Sequence, residues 1–168
     1  MLRALIARHP ELAAEAEQLS RAVVTRVDAE AVAAEVEDAV LALELDELNA
    51  RAGRQRWGYV EPTEAAWELL EEALDPFLDE MRRRVELGFE AAAVATCQGI
   101  VLGLYRCRGQ TTDKVLGWAE DFPAEAAGEA VGTLTRLRGT KGRVWRLPAG
   151  FTAAVPEWAH LIERAARR

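Results

Sequence analysis

One stretch of this chain, from Phe89 to Cys107, limits the fold more than any other. Between Gly88 and Arg106 it contains a single charged side chain, Glu90. Apolar and small side chains therefore surround nearly the whole circumference of the predicted helix, which is typical of a helix buried on several sides. The stretch is also too short and too rich in alanine to span a membrane convincingly. We therefore expect it to form the centre of a packed helical core.

Two glycines, Gly99 and Gly103, lie four positions apart in this stretch and so share one face of the helix. Glycine inside a helix costs about 1 kcal/mol relative to alanine, so a compensating contact is expected. The same spacing brings helices together in membranes, but we favour close packing of a neighbouring backbone in a soluble core. Gly103→Leu is accordingly predicted to be among the most destabilising substitutions in the chain.

The N-terminal part of the chain also favours helices, because alanine, leucine, glutamate and arginine dominate its composition. Two helices are predicted before residue 20, and Ser20 is a candidate cap for a long helical segment that ends near Leu48. The apolar stripe of this segment drifts between Ala34 and Leu41, where the helix can break or bend. Residues 49–61 contain two glycines and several polar side chains, and they predict a loop.

A regular apolar stripe begins after Pro62. Side chains from Trp67 to Val85 recur every three or four positions, and the stripe passes through Asp75-Pro76. Two structures fit this pattern: one kinked helix over about residues 63–86, or two helices with Asp75 as the cap of the second. We favour the kinked helix because the apolar side chains keep their helical spacing past the proline.

Three further helices are predicted in the C-terminal third. Residues 111–113 offer caps for a short helix that ends at Trp118. Pro123 and Pro156 each suit the first turn of another helix. The 168 residues are thus expected to form one all-α domain, with N-terminal acidic helices at 1–50, central helices at 62–108 and C-terminal helices at 111–168.

The net charge of −7 lies entirely in the N-terminal third. Residues 1–50 contain four arginines and eleven carboxylates, whereas positive and negative side chains balance over residues 51–168. Such a surface repels nucleic acid and anionic lipid and attracts a basic partner, although a solvated helix face explains it more simply. No apolar run has the roughly 20 residues of a membrane span, and two cysteines form no disulfide framework. We expect a reduced, cytoplasmic protein that does not enter membranes.

Few side chains in this sequence suit catalysis or metal binding. The chain has two histidines, and Glu157 with His160 forms one Glu-x-x-His pair where a carboxylate-bridged metal site needs two. Cys97 lies on the apolar face and is expected to be a buried, unreactive thiol. No glycine loop has the spacing that holds phosphates. We therefore expect no enzyme activity, no metal and no cofactor.

Two clusters combine basic and aromatic side chains, which hold nucleic acid or acidic peptides by charge and stacking. Each has an alternative interpretation, a loop whose arginines stay in water while the tryptophan packs on the core. The first cluster contains Arg51, Arg54, Arg56, Trp57 and Tyr59. The second contains Arg136, Arg138, Lys141, Arg143, Trp145 and Arg146.

A set of short motifs extends over residues 57–127. They are Trp57-Gly58-Tyr59-Val60-Glu61-Pro62 and the segments 65–70, 75–78, 99–106 and 121–127, with 9–12 as a looser match. In these motifs the chain is similar to an uncharacterised bacterial helical family whose members often lie beside SWIM zinc-finger domains. The resemblance implies stacked α-hairpins in a right-handed superhelix, like HEAT or armadillo repeats, and it implies no reaction. An irregular helical bundle is the alternative, and the zinc finger itself is absent because Cys97 and Cys107 do not fit its Cys-x-Cys and Cys-x-His pattern.

These expectations lead to two hypotheses about function. The first is a non-catalytic helical-repeat module that binds another protein, and a homodimer is considered alongside it. The second is a nucleic-acid-associated accessory protein that uses the basic segment 136–146. The second predicts binding that falls steeply with salt and that weakens when Arg143 and Arg146 are replaced by alanine.

Overall fold

The computed structural model describes residues 26–56, 58–139 and 146–167. Several of the sequence predictions lie outside these residues: the helices before residue 20, the cap at Ser20, and the positions of Trp57, Lys141, Arg143 and Trp145. The described residues are mostly helical, which confirms the all-α prediction. The α-helices are α1 (Ala29–Leu41), α2 (Leu45–Arg51), α3 (Pro62–Glu86), α4 (Glu90–Cys107), α5 (Phe122–Arg138) and α6 (Ala159–Ala165), and short 3-10 helices cover Val115–Trp118 and Pro156–Trp158.

The segment predicted from Ser20 to Leu48 is not one continuous helix: its described part forms two shorter helices, with the break directly after the stretch 34–41 where a break or bend was expected. The chain is not helical at residues 26–28, and α1 starts where the Asp28 carboxylate accepts a hydrogen bond from the Glu30 backbone N–H at 3.0 Å. The break falls after Leu41. There Glu44 and Glu47 form a capping box that begins α2, which satisfies backbone donors that a continuous helix would have paired internally.

The loop predicted over residues 49–61 is also wrong in part. Helix α2 continues to Arg51, and a small antiparallel hairpin follows with strands β1 (Gly53–Gln55) and β2 (Gly58–Val60). The Gln55 side-chain amide donates to the backbone carbonyl of Arg51 at 2.9 Å, so the hairpin is held against the end of α2. Strands this short carry no periodic pattern that sequence could have shown.

Helix α3 runs without interruption from Pro62 to Glu86 and contains Pro76. The prediction of one helix rather than two is therefore confirmed. Pro76 is exposed, so the backbone carbonyl that loses its partner can be hydrated. The helix ends at Gly88, which has a φ of 77° that a glycine adopts without strain.

Helix α4 lies at the centre of the molecule and is buried on several sides, as its sequence predicted. Helix α1 crosses the face that carries the two glycines. A Cβ atom built on Gly103 would lie 2.6 Å from the carbonyl oxygen of Ala33, and one built on Gly99 would lie 2.7 Å from that of Ala29. The predicted close approach of a neighbouring backbone is thus confirmed. Because Gly99 faces the start of α1 and Gly103 faces its middle, the two helices run in the same direction.

Helix α5 packs on α3 and α4, and α6 packs on α5. The short helix before Trp118 is a 3-10 helix, and residues 111–113 do not cap it, since Lys114 occupies the cap position without a side-chain bond. The Lys114 ammonium instead donates to the Leu41 carbonyl at 2.8 Å, which fixes the end of α1. Helix α5 places the Trp67 and Phe122 rings in edge contact, 4.9 Å between centroids.

Buried residues from all six described α-helices belong to one hydrophobic cluster. The C-terminal segment is attached to this cluster through α4. Arg108 makes two hydrogen bonds to the Glu157 carboxylate, at 3.0 and 3.1 Å, and the rings of Tyr105 and Trp158 meet edge to face. Among the helices that the structure describes, none combines the length and apolar character needed to cross a bilayer.

Candidate interaction site

The first predicted basic cluster lies on the hairpin. Arg54 and Tyr59 are directly opposite each other in the strand register, and Tyr59 is 64% exposed. Arg56 in the turn is also exposed, whereas Trp57 lies outside the described residues. The hairpin therefore brings two of the predicted side chains together at the surface.

Arg51, at the base of the same cluster, is not available to a ligand. Its guanidinium forms two hydrogen bonds to the Glu72 carboxylate, at 2.7 and 2.5 Å. These bonds lower the pKa of Glu72 below its usual value and link the end of α2 to α3. Arg51 has a structural role that its position in the sequence did not reveal.

The second predicted basic cluster is divided between different surfaces. Arg138 pairs with Glu90 at the start of α4, and Arg136 donates to the Thr133 hydroxyl at 2.8 Å. Residues two positions apart on a helix do not face the same way, so these two arginines point to different parts of the molecule. Arg146 is exposed, and the other three members lie outside the described residues.

A groove between α5 and α6 was not predicted from the sequence. It has a volume of about 440 Å³ and lies along one face of α5, with α6 as its side wall. This volume is within the range of sites that bind ligands or segments of partners. The residues that line it include Glu125, Gly128, Glu129, Gly132, Arg136, Leu161 and Arg164.

The floor of the groove contains two glycines, Gly128 and Gly132. A Cβ atom on Gly128 would lie 3.4 Å from the Leu161 methyl carbon, and one on Gly132 would lie 3.4 Å from the Arg136 guanidinium. Both distances correspond to ordinary contact, so the packing of α6 on α5 does not require glycine at either position. The glycines instead remove side-chain volume from the floor of the groove, at a cost of about 1 kcal/mol each in helix propensity.

The groove carries charges of both signs. Glu125 and Glu129 lie on the first half of α5 and Arg136 lies near its end, while Arg164 of α6 lies beside the middle of α5. All four side chains are exposed. Among the residues that the structure describes, none forms an ion pair with Glu125, Glu129 or Arg164. Three of the four charges therefore have no ion-pair partner among the residues that the structure describes.

The described residues contain no group of three or more His, Cys, Asp or Glu side chains placed to hold a metal ion. Cys97 and Cys107 are both free and buried, and burial raises the pKa of each thiol to about 12. Thiols with such a pKa are not nucleophiles at neutral pH. Glu157 of the Glu-x-x-His pair is held by Arg108, and His160 is exposed.

In the sequence, Gly128 and Gly132 only lower the helix propensity of the segment that forms α5. Their spacing, four positions apart on a helix that also carries Glu125, Glu129 and Arg136 on the same side, was the signal that could have pointed to the groove. The position of α6 beside this face could not be inferred, because it depends on the path of the chain after α5.

No family model, curated protein or solved structure matches this chain. The similarity to the family found beside SWIM zinc-finger domains therefore stays a prediction.

Proposed function

We propose that this chain is a non-catalytic protein-protein interaction module and that the groove between α5 and α6 is its binding surface. The observation that carries this proposal is the pair of glycines in the groove floor. Gly128 and Gly132 weaken α5 without being needed for its contact with α6. An accessible groove is the structural result that offsets this cost.

The groove has the features of a site that receives a helix. Leu161 and the small residues of α5 give it an apolar floor and wall, and charged side chains stand at both ends. Amphipathic helices bind in such grooves by burying their apolar face, while charges at the edges fix direction and register.

The arrangement of the central helices supports a HEAT- or armadillo-like stack, which we include in the proposal. Helices α3 and α4 are joined by the three residues 87–89 and form an α-hairpin. The end of α5 lies beside the start of α4, where Arg138 pairs with Glu90, so α5 runs antiparallel to α4. The alternating directions of α3, α4 and α5 are what stacked α-hairpins produce, whereas α1 runs parallel to α4 and α6 runs parallel to α5.

Nucleic-acid binding through residues 136–146 is the alternative, and the geometry favours it less. Arg138 pairs with Glu90 and Arg136 donates a hydrogen bond to the Thr133 hydroxyl. A nucleic-acid site there predicts affinity for mixed DNA and RNA that decreases steeply between about 50 and 200 mM salt. Arg143→Ala and Arg146→Ala would then weaken binding, whereas changes in the groove floor would not.

Filling the groove tests the proposal directly. Gly128→Phe places a large side chain over the floor and should abolish binding of a protein partner without unfolding the chain, because the first added atom meets only Leu161. The matched control is Ala34→Phe, which adds a similar side chain at an exposed position of α1. Tagged forms of the wild type and both variants are used to capture proteins from the cells that produce this chain, with quantitative mass spectrometry as the readout.

The proposal requires a protein, including the chain itself under a second tag, that is retained by the wild type and Ala34→Phe and lost with Gly128→Phe. Circular dichroism of the three proteins checks that the helices remain folded. Equal capture by all three proteins would remove the groove as the binding surface. Retention of nucleic acid alone, lost at high salt, would favour the alternative.

A further inference from the structure

We propose that residues 11–24 of this chain dock, as one amphipathic helix, on an uncharged face of α4 next to the start of α1. The proposal goes beyond the proposed function, because this face belongs to α4 and not to the groove between α5 and α6. Residues 1–25 lie outside the described part of the structure. The contact is inferred from the face itself, from the path of the chain and from the sequence of the segment.

One face of α4 carries no charge although part of it is exposed. It is made by four residues at helical spacing, Ala91, Ala95, Gln98 and Leu102. Ala91 is exposed and the other three are half-buried, and α4 has no charged side chain between Glu90 and Arg106. A helix face that points to water normally carries charged and polar residues. The composition of this face, named the α4 face below, therefore favours a further element that covers it.

The direction of α1 brings the preceding chain to the α4 face. Helix α1 runs parallel to α4 and starts beside Gly99, where a Cβ atom would lie 2.7 Å from the Ala29 carbonyl oxygen. Extending α1 backwards therefore leads along the first turns of α4, and Ala95 lies one turn before Gly99. Residues 26–28 are not helical, and even a fully extended link holds residue 25 within about 14 Å of Ala29. The end of the segment is thus kept close to the α4 face.

Residues 11–24 have the pattern of a helix with one apolar side. That side is formed by Leu12, Ala16, Leu19 and Val23, at spacings of four, three and four positions. Pro10 suits the first turn of such a helix. The apolar side, from 12 to 23, and the α4 face, from 91 to 102, each extend over 11 positions, which is about 16 Å of helix. The segment is therefore long enough to cover the whole face.

The tether favours this segment over a separate partner. A short link between two elements gives an effective concentration of about millimolar, so that a modest apolar contact is already populated. Docking removes apolar surface from water on both sides of the contact. The polar residues of the segment, which include Glu17, Gln18 and Arg21, then remain in water and oppose no charge on α4.

A thiol placed on the α4 face reports whether the face is covered. The native thiols do not interfere, because Cys97 and Cys107 are both buried. In the whole chain, Ala95→Cys is expected to react with a maleimide about tenfold more slowly than the same variant that also carries Leu19→Asp. Leu19→Asp places a carboxylate in the middle of the apolar side and should release the segment. Mass spectrometry follows the rate of labelling.

Two matched controls separate covering of the face from other effects. Ala14→Asp adds the same carboxylate to the opposite side of the segment at a similar cost in helix propensity, and Ala95→Cys should stay slowly labelled in its presence. Ala34→Cys places a thiol at an exposed position of α1, and it should react at one rate with and without Leu19→Asp. Circular dichroism checks that each variant is folded.

Three results would overturn the proposal. Labelling of Ala95→Cys at the same rate with and without Leu19→Asp would show that the segment does not cover the face. An equal release by Ala14→Asp would show that the apolar side is not what docks. Protection that is lost on dilution would assign the cover to a second copy of the chain. None of these results bears on the groove between α5 and α6, so the proposed function would stand or fall separately.

Discussion

The molecule contains two pairs of glycines with the same spacing and opposite surroundings. Gly99 and Gly103 of α4 meet the backbone of α1, where an added Cβ would lie 2.7 and 2.6 Å from a carbonyl oxygen. Gly128 and Gly132 of α5 have no atom nearer than 3.4 Å to an added Cβ. The first pair allows two backbones to touch, whereas the second pair lies against α6 at ordinary contact distances, with Gly132 buried and Gly128 half-buried. One sequence pattern thus serves two different purposes.

This difference shows that the cost of a glycine in a helix can be offset in two ways. At the crossing of α1 and α4 the gain is close packing in the core, which stabilises the fold itself. At the groove the gain does not appear in the isolated chain, because the open volume is useful only when a partner fills it. The two pairs should therefore respond to the same substitution with opposite signs.

The largest expected effect is that of Gly103→Leu. Its first side-chain atom would already collide with the Ala33 carbonyl oxygen, and the backbone of α1 has no room to move within the core. We expect the free energy of unfolding to fall by about 3 kcal/mol or more, which exceeds the gain in helix propensity. Urea melts measure this change. A midpoint at or above that of the wild type would show that the crossing of α1 and α4 is not the tight centre of the fold.

Replacing one glycine of each pair by alanine gives the most direct comparison of the two pairs. Gly103→Ala should destabilise the chain by about 1–2 kcal/mol, because overpacking outweighs propensity. Gly128→Ala should stabilise it by up to about 1 kcal/mol, because propensity is gained and Leu161 is met at an ordinary distance. Thermal and urea melts of the two variants measured together give the signs. Equal signs would mean that the two glycine pairs do not differ as described.

The third prediction concerns the ion pair that holds the wall of the groove to the core. The hydrogen bonds from Arg108 lower the pKa of Glu157 below its usual 4.5. A carboxylate with a lowered pKa adds stability at neutral pH, and this contribution is lost as the pH falls through its folded-state pKa. Glu157→Gln should therefore be less stable than the wild type at pH 7 and should lose less stability on acidification.

Denaturant midpoints measured at several pH values between about 7 and 3 provide the test. Arg108→Gln removes the partner and should reduce the acid dependence in the same way. If both variants kept the acid dependence of the wild type, the Glu157 carboxylate would not be part of the attachment of α6.

The smallest expected effect is that of Arg164→Ala. This side chain lines the groove and is exposed, so its removal should change the free energy of unfolding by less than about 0.5 kcal/mol. The same variant should nevertheless weaken capture of a partner protein through the groove, because Arg164 is one of the charges that line it. A large loss of stability in urea melts would indicate that Arg164 belongs to the core rather than to an interface.

The central part of the fold could be predicted from the sequence, because burial leaves a strong pattern there. The nearly uncharged stretch of α4 predicted a buried helix. The regular spacing of apolar residues, which continues past Pro76, predicted that α3 is one helix. The glycines of α4 were correctly interpreted as a site of close packing. Each of these features depends on residues that are near each other in the sequence.

Other features depend on the path of the chain and could not be predicted. The hairpin over Gly53–Val60 has strands of three residues, which are too short for any periodicity. The helix break at Glu44 depends on a capping box that competes with continuation of the helix, and the sequence alone does not decide that competition. The groove forms only because α6 lies beside Gly128 and Gly132. The glycines of α5 have the same four-residue spacing as those of α4, so the spacing does not predict that their surroundings differ.

The parallel packing of α1 on α4 also has a consequence for the order of folding. Helices α3 and α4 are joined by a short turn and can pair early, whereas α1 reaches its site from far away in the chain, as the Arg106–Glu30 contact across 76 positions shows. Closing such a long loop costs entropy before any contact repays it. We therefore expect α1 to dock after the transition state, so that Gly103→Ala accelerates unfolding and leaves the refolding rate nearly unchanged.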